Sequence, residues 1–335
     1  MPSLPKPRLR RAARGTELAS PAEPRERKPN VETVAADGLR WVNIERPSPL
    51  EMAWLEEHFD FHPLDLEDVL SRNQRPKIDE YDEYLFIVLH FPVFDPAVGR
   101  LNAGELDIFV GQDFLVTIPN QPLQPIEYLF ERVRAKEELR EQHFSKGSGY
   151  LLYRIVDDSF DYCFPMLRKI GNKLDAVEDD IFEGRSEEVV RDISNVKQEI
   201  INFRKVVRPQ RTVLRDLENS RQPFLAREGG DLEVYFDDIV DSHERIWDML
   251  ENYKEVVEAL EDTNESFISH RVNDILRVLT SISVIVLPLT LLASIWGMNV
   301  GVPGEGDLTA FWIVVGSMVA VLVAMVAYFR RRGWL

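Results

Sequence analysis

At 335 residues and a formal net charge of −17, the chain is long enough for two or three domains and too acidic overall to be a general nucleic-acid binder. Its one cysteine, Cys163, excludes an internal disulfide framework and agrees with a reducing compartment. The charge is uneven: residues 1–30 hold eight Lys or Arg against three Glu, which leaves −22 on the remainder, an acidity that draws cations towards it.

Residues 1–30 also carry six prolines and few large apolar groups, which predicts a disordered basic tail. No apolar core of a signal peptide is present there. A mixed α/β region follows over 31–145. Strands are expected at Leu39–Ile44, Leu85–Phe91, Glu105–Val110 and Phe114–Ile118, with helices at Pro49–Phe59 and His62–Leu70. The region 146–272 reads as long helices and a stalk. Amphipathic helices are expected over Leu151–Phe182 and Glu187–Ser220. From Asp231 to Leu287 there are 57 residues without a Gly or Pro. One continuous helix of that length would reach roughly 85 Å, as in stalks and membrane spans.

The last region, 273–335, holds two uncharged runs, 278–304 and 308–329. Each exceeds the ~20 residues that cross a bilayer core. Arg271 and Arg277 precede the first run and Arg330, Arg331 and Arg332 follow the second, whereas the loop between them carries only Glu305 and Asp307. The positive-inside rule places both flanks, and with them both termini, in the cytoplasm of a cell inner membrane.

Polar residues in a membrane helix seldom face lipid. Steps of three and four along the first run give Leu276, Thr280, Ser283, Leu287, Thr290, Ser294 and Gly297, so four of its five hydroxyl residues share one stripe. Small hydroxyl residues also serve close helix packing. A pore wall needs both properties, and one hairpin cannot enclose a pore, so conduction requires a ring of subunits. With no charge on the stripe, hydroxyls, carbonyls and one amide would hold a hydrated cation by its water shell, which Mg²⁺ gives up reluctantly. Leu276, Leu279 and Leu287 are candidate apolar gates.

Gly297-Met298-Asn299 at the outer end of the penultimate span, a short acidic loop, a final span and a basic tail ending Trp334-Leu335 resemble the CorA family of magnesium and cobalt transporters. Asn273, Leu276-Arg277-Val278-Leu279-Thr280 and Pro288-Leu289-Thr290 agree with it, as do, more loosely, Gln74-Arg75-Pro76-Lys77 and Tyr84–Leu89. The expected fold class is an α+β cytosolic domain, an α/β/α sandwich, with long stalk helices and a two-helix C-terminal transmembrane hairpin. The resemblance implies a homopentameric funnel in the lipid bilayer. Gly297, Met298 and Asn299 would form its selective outer mouth, Glu305 would sit in the outer loop, and Asn273 would form an inner polar ring. It further implies Mg²⁺ both as cargo and as regulator, held between subunits by Asp238, Asp95 and Asp157, with no organic cofactor. The segment after the triplet, Val300 to Glu305, departs from the usual magnesium pattern and is similar to the zinc-transporting branch.

The expected function is passive uptake of divalent cations, chiefly Mg²⁺ and also Co²⁺, with zinc transport as the alternative within the family. A membrane-anchored sensor or scaffold is the alternative outside it. No P-loop, HExxH, CxxC or G-x-S-x-G pattern supports a motor or an enzyme, and His58, His62 and His90 are scattered.

Overall fold

The computed structural model describes residues 28–71, 74–96, 99–184, 186–225, 231–298, 301 and 307–334. Most of the expected basic tail, Asn299 and Glu305 lie outside the described residues.

Six strands form one mixed sheet: β1 (Glu32–Ala36), β2 (Leu39–Asn43), β3 (Lys77–Glu80), β4 (Tyr84–Asp95), β5 (Arg100–Gly111) and β6 (Phe114–Pro119), in the order β1-β2-β6-β5-β4-β3. Only β2 and β6 pair in parallel. The central strands alternate in the two-residue period of a pleated sheet. Leu85, Ile87 and Leu89 of β4 and Leu106, Ile108 and Val110 of β5 enter the larger core, while Phe86, Val88 and Phe109 enter the smaller one. Both faces are covered, which is why Leu85–Leu89 is apolar without a break.

Two short helices, α1 (Pro49–His58) and α2 (Pro63–Leu70), cover the smaller core through Met52, Leu55, Leu66 and Val69. α1 begins where Ser48 and Glu51 form a reciprocal capping box around Pro49. The other face is covered by α3 (Gln124–Ala135) and α5 (Ser148–Asp161), with α4 (Glu137–Phe144) between them in the chain. Trp41 is fully buried there, its indole N–H donating to Thr117 Oγ1 at 3.0 Å and its ring meeting Phe130 edge-on at 4.9 Å. The layers are helix, sheet and helix, as expected.

Two strands were not foreseen. β1 and β3 are short edge strands with no clear alternation signal, and β3 is largely polar. The cue missed for β1 is Asp37-Gly38, whose positive φ values of 51° and 78° build the tight turn into β2.

The two long amphipathic helices are each divided by a proline. Leu151–Phe182 resolves into α5 and α6 (Cys163–Glu183), and Glu187–Ser220 into α7 (Ser186–Val207) and α8 (Gln210–Glu218). Pro165 and Pro209 lack the N–H that would bond one turn back. At the second break, buried Gln210 donates from Nε2 to Val206 O at 3.1 Å and to His90 O at 2.6 Å, and its Oε1 accepts from His90 N at 3.1 Å. The break is thereby fastened to β4.

From there the chain continues as α9 (Asp231–Trp296), 66 residues in one helix, and returns as α10 (Leu308–Arg331). At 1.5 Å per residue α9 is about 100 Å long. Its first part packs on α5, α6, α7 and α8 through Leu232, Phe236, Ile239, Ile246, Leu250, Val257 and Leu260.

The α5 start makes a close approach to a neighbouring backbone. A Cβ on Gly149 would lie 2.5 Å from the Phe224 carbonyl oxygen. Gly149→Ala is expected to lower stability by about 1–3 kcal/mol through overpacking, read as a fall in the thermal unfolding midpoint of the purified protein.

Candidate ion pathway and acidic sites

Both C-terminal helices are long and apolar enough to cross a membrane, with mean hydropathy of 2.3 and 2.5 in their most apolar windows. A core helix of a soluble fold would be mostly buried. Here 11% and 0% of those windows are buried, so their apolar surface is turned outwards. Asp307 caps α10 by accepting from Thr309 N at 3.0 Å, and Arg330 and Arg331 occupy its last turn.

Within the hairpin α9 has two unlike faces. Ser281 and Ile285 are buried, and Pro288, Leu289 and Leu292 are half-buried, on the side where α10 packs. At about 100° per residue, Leu276, Thr280, Ser283, Leu287, Thr290, Ser294 and Gly297 fall on the opposite side, and all seven are exposed. The candidate gate residues Leu276, Leu279 and Leu287 are 51%, 58% and 68% exposed, and Asn273, just before them on α9, is exposed as well. The fifth hydroxyl, Ser281, lies on the α10 side, 0% exposed.

Two of the four stripe hydroxyls commit their hydrogens to the helix itself. Ser283 Oγ donates to Leu279 O at 2.9 Å and Thr290 Oγ1 to Val286 O at 2.9 Å. Each oxygen therefore offers lone pairs outwards. A hydrated cation turns its water hydrogens outwards, so an acceptor-lined face matches it. Pro288, on the α10 side, leaves the Val284 carbonyl without its helical donor. α9 ends at Trp296, and Gly297 and Met298 are exposed beyond it, their N–H groups donating to Ala293 O and Ile295 O.

The three carboxylates expected to be regulatory separate into a pair and an outlier. Asp157 on α5 and Asp238 on α9 are close enough to interact electrostatically, each about one turn from the Tyr153–Tyr235 ring contact at 4.7 Å. Asp157 is 7% exposed and ion-paired with Arg154 at 2.8 Å, and Arg154 also pairs with Asp158. Burial, with Asp161, Asp158 and Asp238 nearby, raises the Asp157 pKa to about 6 against the pull of Arg154. Asp238 is exposed. Asp95 stands apart at the end of β4, where Oδ2 accepts from Asn102 Nδ2 at 3.3 Å. Among the described residues of a single chain, no three His, Cys, Asp or Glu side chains are placed to hold a metal ion.

The sequence reading missed the grip that α7 and α8 have on α9. Glu244 receives Arg211 at 2.9 Å and Arg215 at 3.2 Å, Glu251 pairs with Arg204, and Glu261 pairs with Lys197. The partners are 29 to 64 residues apart, so no local spacing announces them.

Residues 36–331 match the family model of the CorA-like Mg²⁺ transporter protein. The cobalt/magnesium transport protein CorA of Thermotoga maritima is 30% identical over 299 residues, covering 88% of this chain and 83% of the relative. The putative metal ion transporter YfjQ of Bacillus subtilis is 30% identical over 297 residues, covering 88% and 89%. The complete structure of the CorA magnesium transporter from Methanocaldococcus jannaschii superposes with a TM-score of 0.77 at 23% identity, covering 90% of this chain and 94% of that one. Family model, relatives and fold agree, and the chain belongs to the CorA-like Mg²⁺ transporter family.

Proposed function

We propose that the chain carries divalent cations passively across the inner membrane, chiefly Mg²⁺ and also Co²⁺, as a homopentamer whose α9 helices line the pathway. The observation that carries this reading is the division of α9 into an α10-packed face and an exposed face of hydroxyl acceptors. The cargo follows the names of the relatives, cobalt/magnesium transport proteins from Thermotoga maritima and Methanocaldococcus jannaschii.

In this reading Gly297, Met298 and Asn299 take the hydrated ion at the outer mouth, with Glu305 in the loop beside them. Thr280, Ser283, Thr290 and Ser294 pass it inwards through its water shell. Leu276, Leu279 and Leu287 narrow the path, and Asn273 receives the ion at the cytosolic end. The membrane potential suffices as the driving force, since a divalent ion gains about 4.6 kcal/mol per 100 mV. Cytosolic Mg²⁺ regulates passage by binding between subunits at Asp157, Asp238 and the neighbour's Asp95. A single chain supplies only part of such a site, which agrees with the absence of a complete one among its described residues. At neutral pH the ionised Asp157 is held against its raised pKa, a cost that a bound cation relieves.

Proteoliposomes loaded with metal-sensitive dyes test the cargo: Mg²⁺ flux without a pH gradient is expected, and zinc flux with none for magnesium would reassign the protein to the zinc branch. Asn299→Ala is expected to abolish flux while the oligomer elutes unchanged. Retained function in that variant favours a sensor or scaffold.

The regulatory pair makes a pH prediction. Because burial raises the folded pKa of Asp157 from the ordinary 3.8 to about 6, its ionisation lowers stability as pH rises through that window in metal-free protein. Binding of Mg²⁺ requires the ionised form, so protection against proteolysis by Mg²⁺ should be large at pH 7.5 and small at pH 5. Asp238→Ala should remove most of that protection; equal protection in variant and wild type would exclude the site.

A further inference from the structure

Below the membrane segment, the contacts that hold α9 to the rest of the chain end at one place. Along the stalk, acidic residues of α9 meet basic residues of α7 and α8, from Glu244 through Glu251 to Glu261. At Arg271 the polarity reverses. Its Nη1 donates to the carbonyl oxygen of Gly184 at 3.0 Å, immediately after the C-terminus of α6. A guanidinium suits the exposed carbonyls and negative dipole end of a helix. Gly184 adopts a left-handed φ of 79°, and a Cβ there would stand 3.3 Å from the other guanidinium nitrogen. One turn earlier on α9, Phe267 meets Phe182 of α6 edge-on at 5.6 Å. After Arg271 no described hydrogen bond or ion pair joins α9 to another element: Arg277 pairs with Asp274, and Ser281, Ser283 and Thr290 bond their own helix.

We infer that Arg271 is a positioning residue for transport: it fastens the α6 end of the α6–α7 hairpin to α9 and so passes movements of the cytosolic part to the helix just before Asn273 and Leu276. The tie is a property of this chain alone. Its effect on flux rests on the regulated pathway proposed above. Cutting it leaves the pore residues in place but loosens the α6 end from the last stretch of α9 before the membrane segment. Lysine, a single flexible donor, keeps part of the tie; alanine keeps none.

Two measurements on the full-length protein in one preparation test this. Phe182→Cys with Phe267→Cys provides a pair for a short bifunctional thiol reagent, and Cys163, 1% exposed, stays unlabelled. Cross-linking within one subunit should be efficient with Arg271 present and fall severalfold with Arg271→Ala; equal cross-linking overturns the tie. In proteoliposomes, Arg271→Ala should retain flux at zero cytosolic Mg²⁺ but need about fivefold more Mg²⁺ for half-block, which corresponds to ~1 kcal/mol. Arg271→Lys should fall between variant and wild type. An unchanged half-blocking concentration in Arg271→Ala overturns the coupling, as does a parallel loss of flux and assembly with no change in Mg²⁺ response. Wild-type flux that ignores cytosolic Mg²⁺ defeats the regulated pathway instead, and the cross-linking result still decides the tie.

Discussion

A helix that enters a bilayer must satisfy its backbone polar groups without water, and α9 does so as the continuation of a helix already 47 residues long, from Asp231 to Arg277. That continuity is the constraint from which the other features follow. A rod of about 100 Å has no joint at the water–lipid boundary. Whatever the α/β unit does to the lower part of α9 is carried upwards as tilt, rotation or translation. The sheet, its two helical layers and the proline-broken α5–α8 segments together make a mount for this rod. Gln210 fastens the α7–α8 break to β4, and buried His243 of α9 reaches Val207 O at 2.9 Å. The mount therefore holds the rod through both its apolar seam and its polar edges.

Inside the hairpin, chemistry divides the same helix by face. Ser281 and Ile285 are spent on packing with α10, while the other hydroxyls are exposed among the described residues. The hydrogens of Ser283 and Thr290 are bonded to the helix backbone, so these two present accepting oxygens outwards. An uncharged acceptor surface suits an ion that keeps its first water shell. On the proposed reading, charge is reserved for the cytosolic carboxylates, where tight and slow binding serves regulation.

Much of this was legible in the residues. Two uncharged runs, basic flanks and a stretch free of Gly and Pro gave the stalk, the hairpin and the stripe, because membrane and helix periodicities leave strong one-dimensional signals. The central strands were read for the same reason. What escaped has a common cause: it depends on partners distant in sequence or on single residues that outweigh a pattern. β1 and β3 are short edge strands, defined by their neighbours and not by their own alternation. Pro165 and Pro209 cut helices whose amphipathic period continues on either side of the break. The Arg271–Gly184 tie links positions 87 residues apart. Asp157 and Asp238 were picked from the resemblance, and only the packing of α5 on α9 shows them as neighbours.

The central claim is that the exposed hydroxyl face of α9 is the ion path, and substituted-cysteine accessibility during flux tests it most directly. With Cys163 buried, a single cysteine at Thr290 and one at Leu292 compare the two faces of one turn. The account predicts that a small charged thiol reagent blocks divalent cation flux through Thr290→Cys and leaves Leu292→Cys conducting. Block through Leu292→Cys, with Thr290→Cys unaffected, would contradict it.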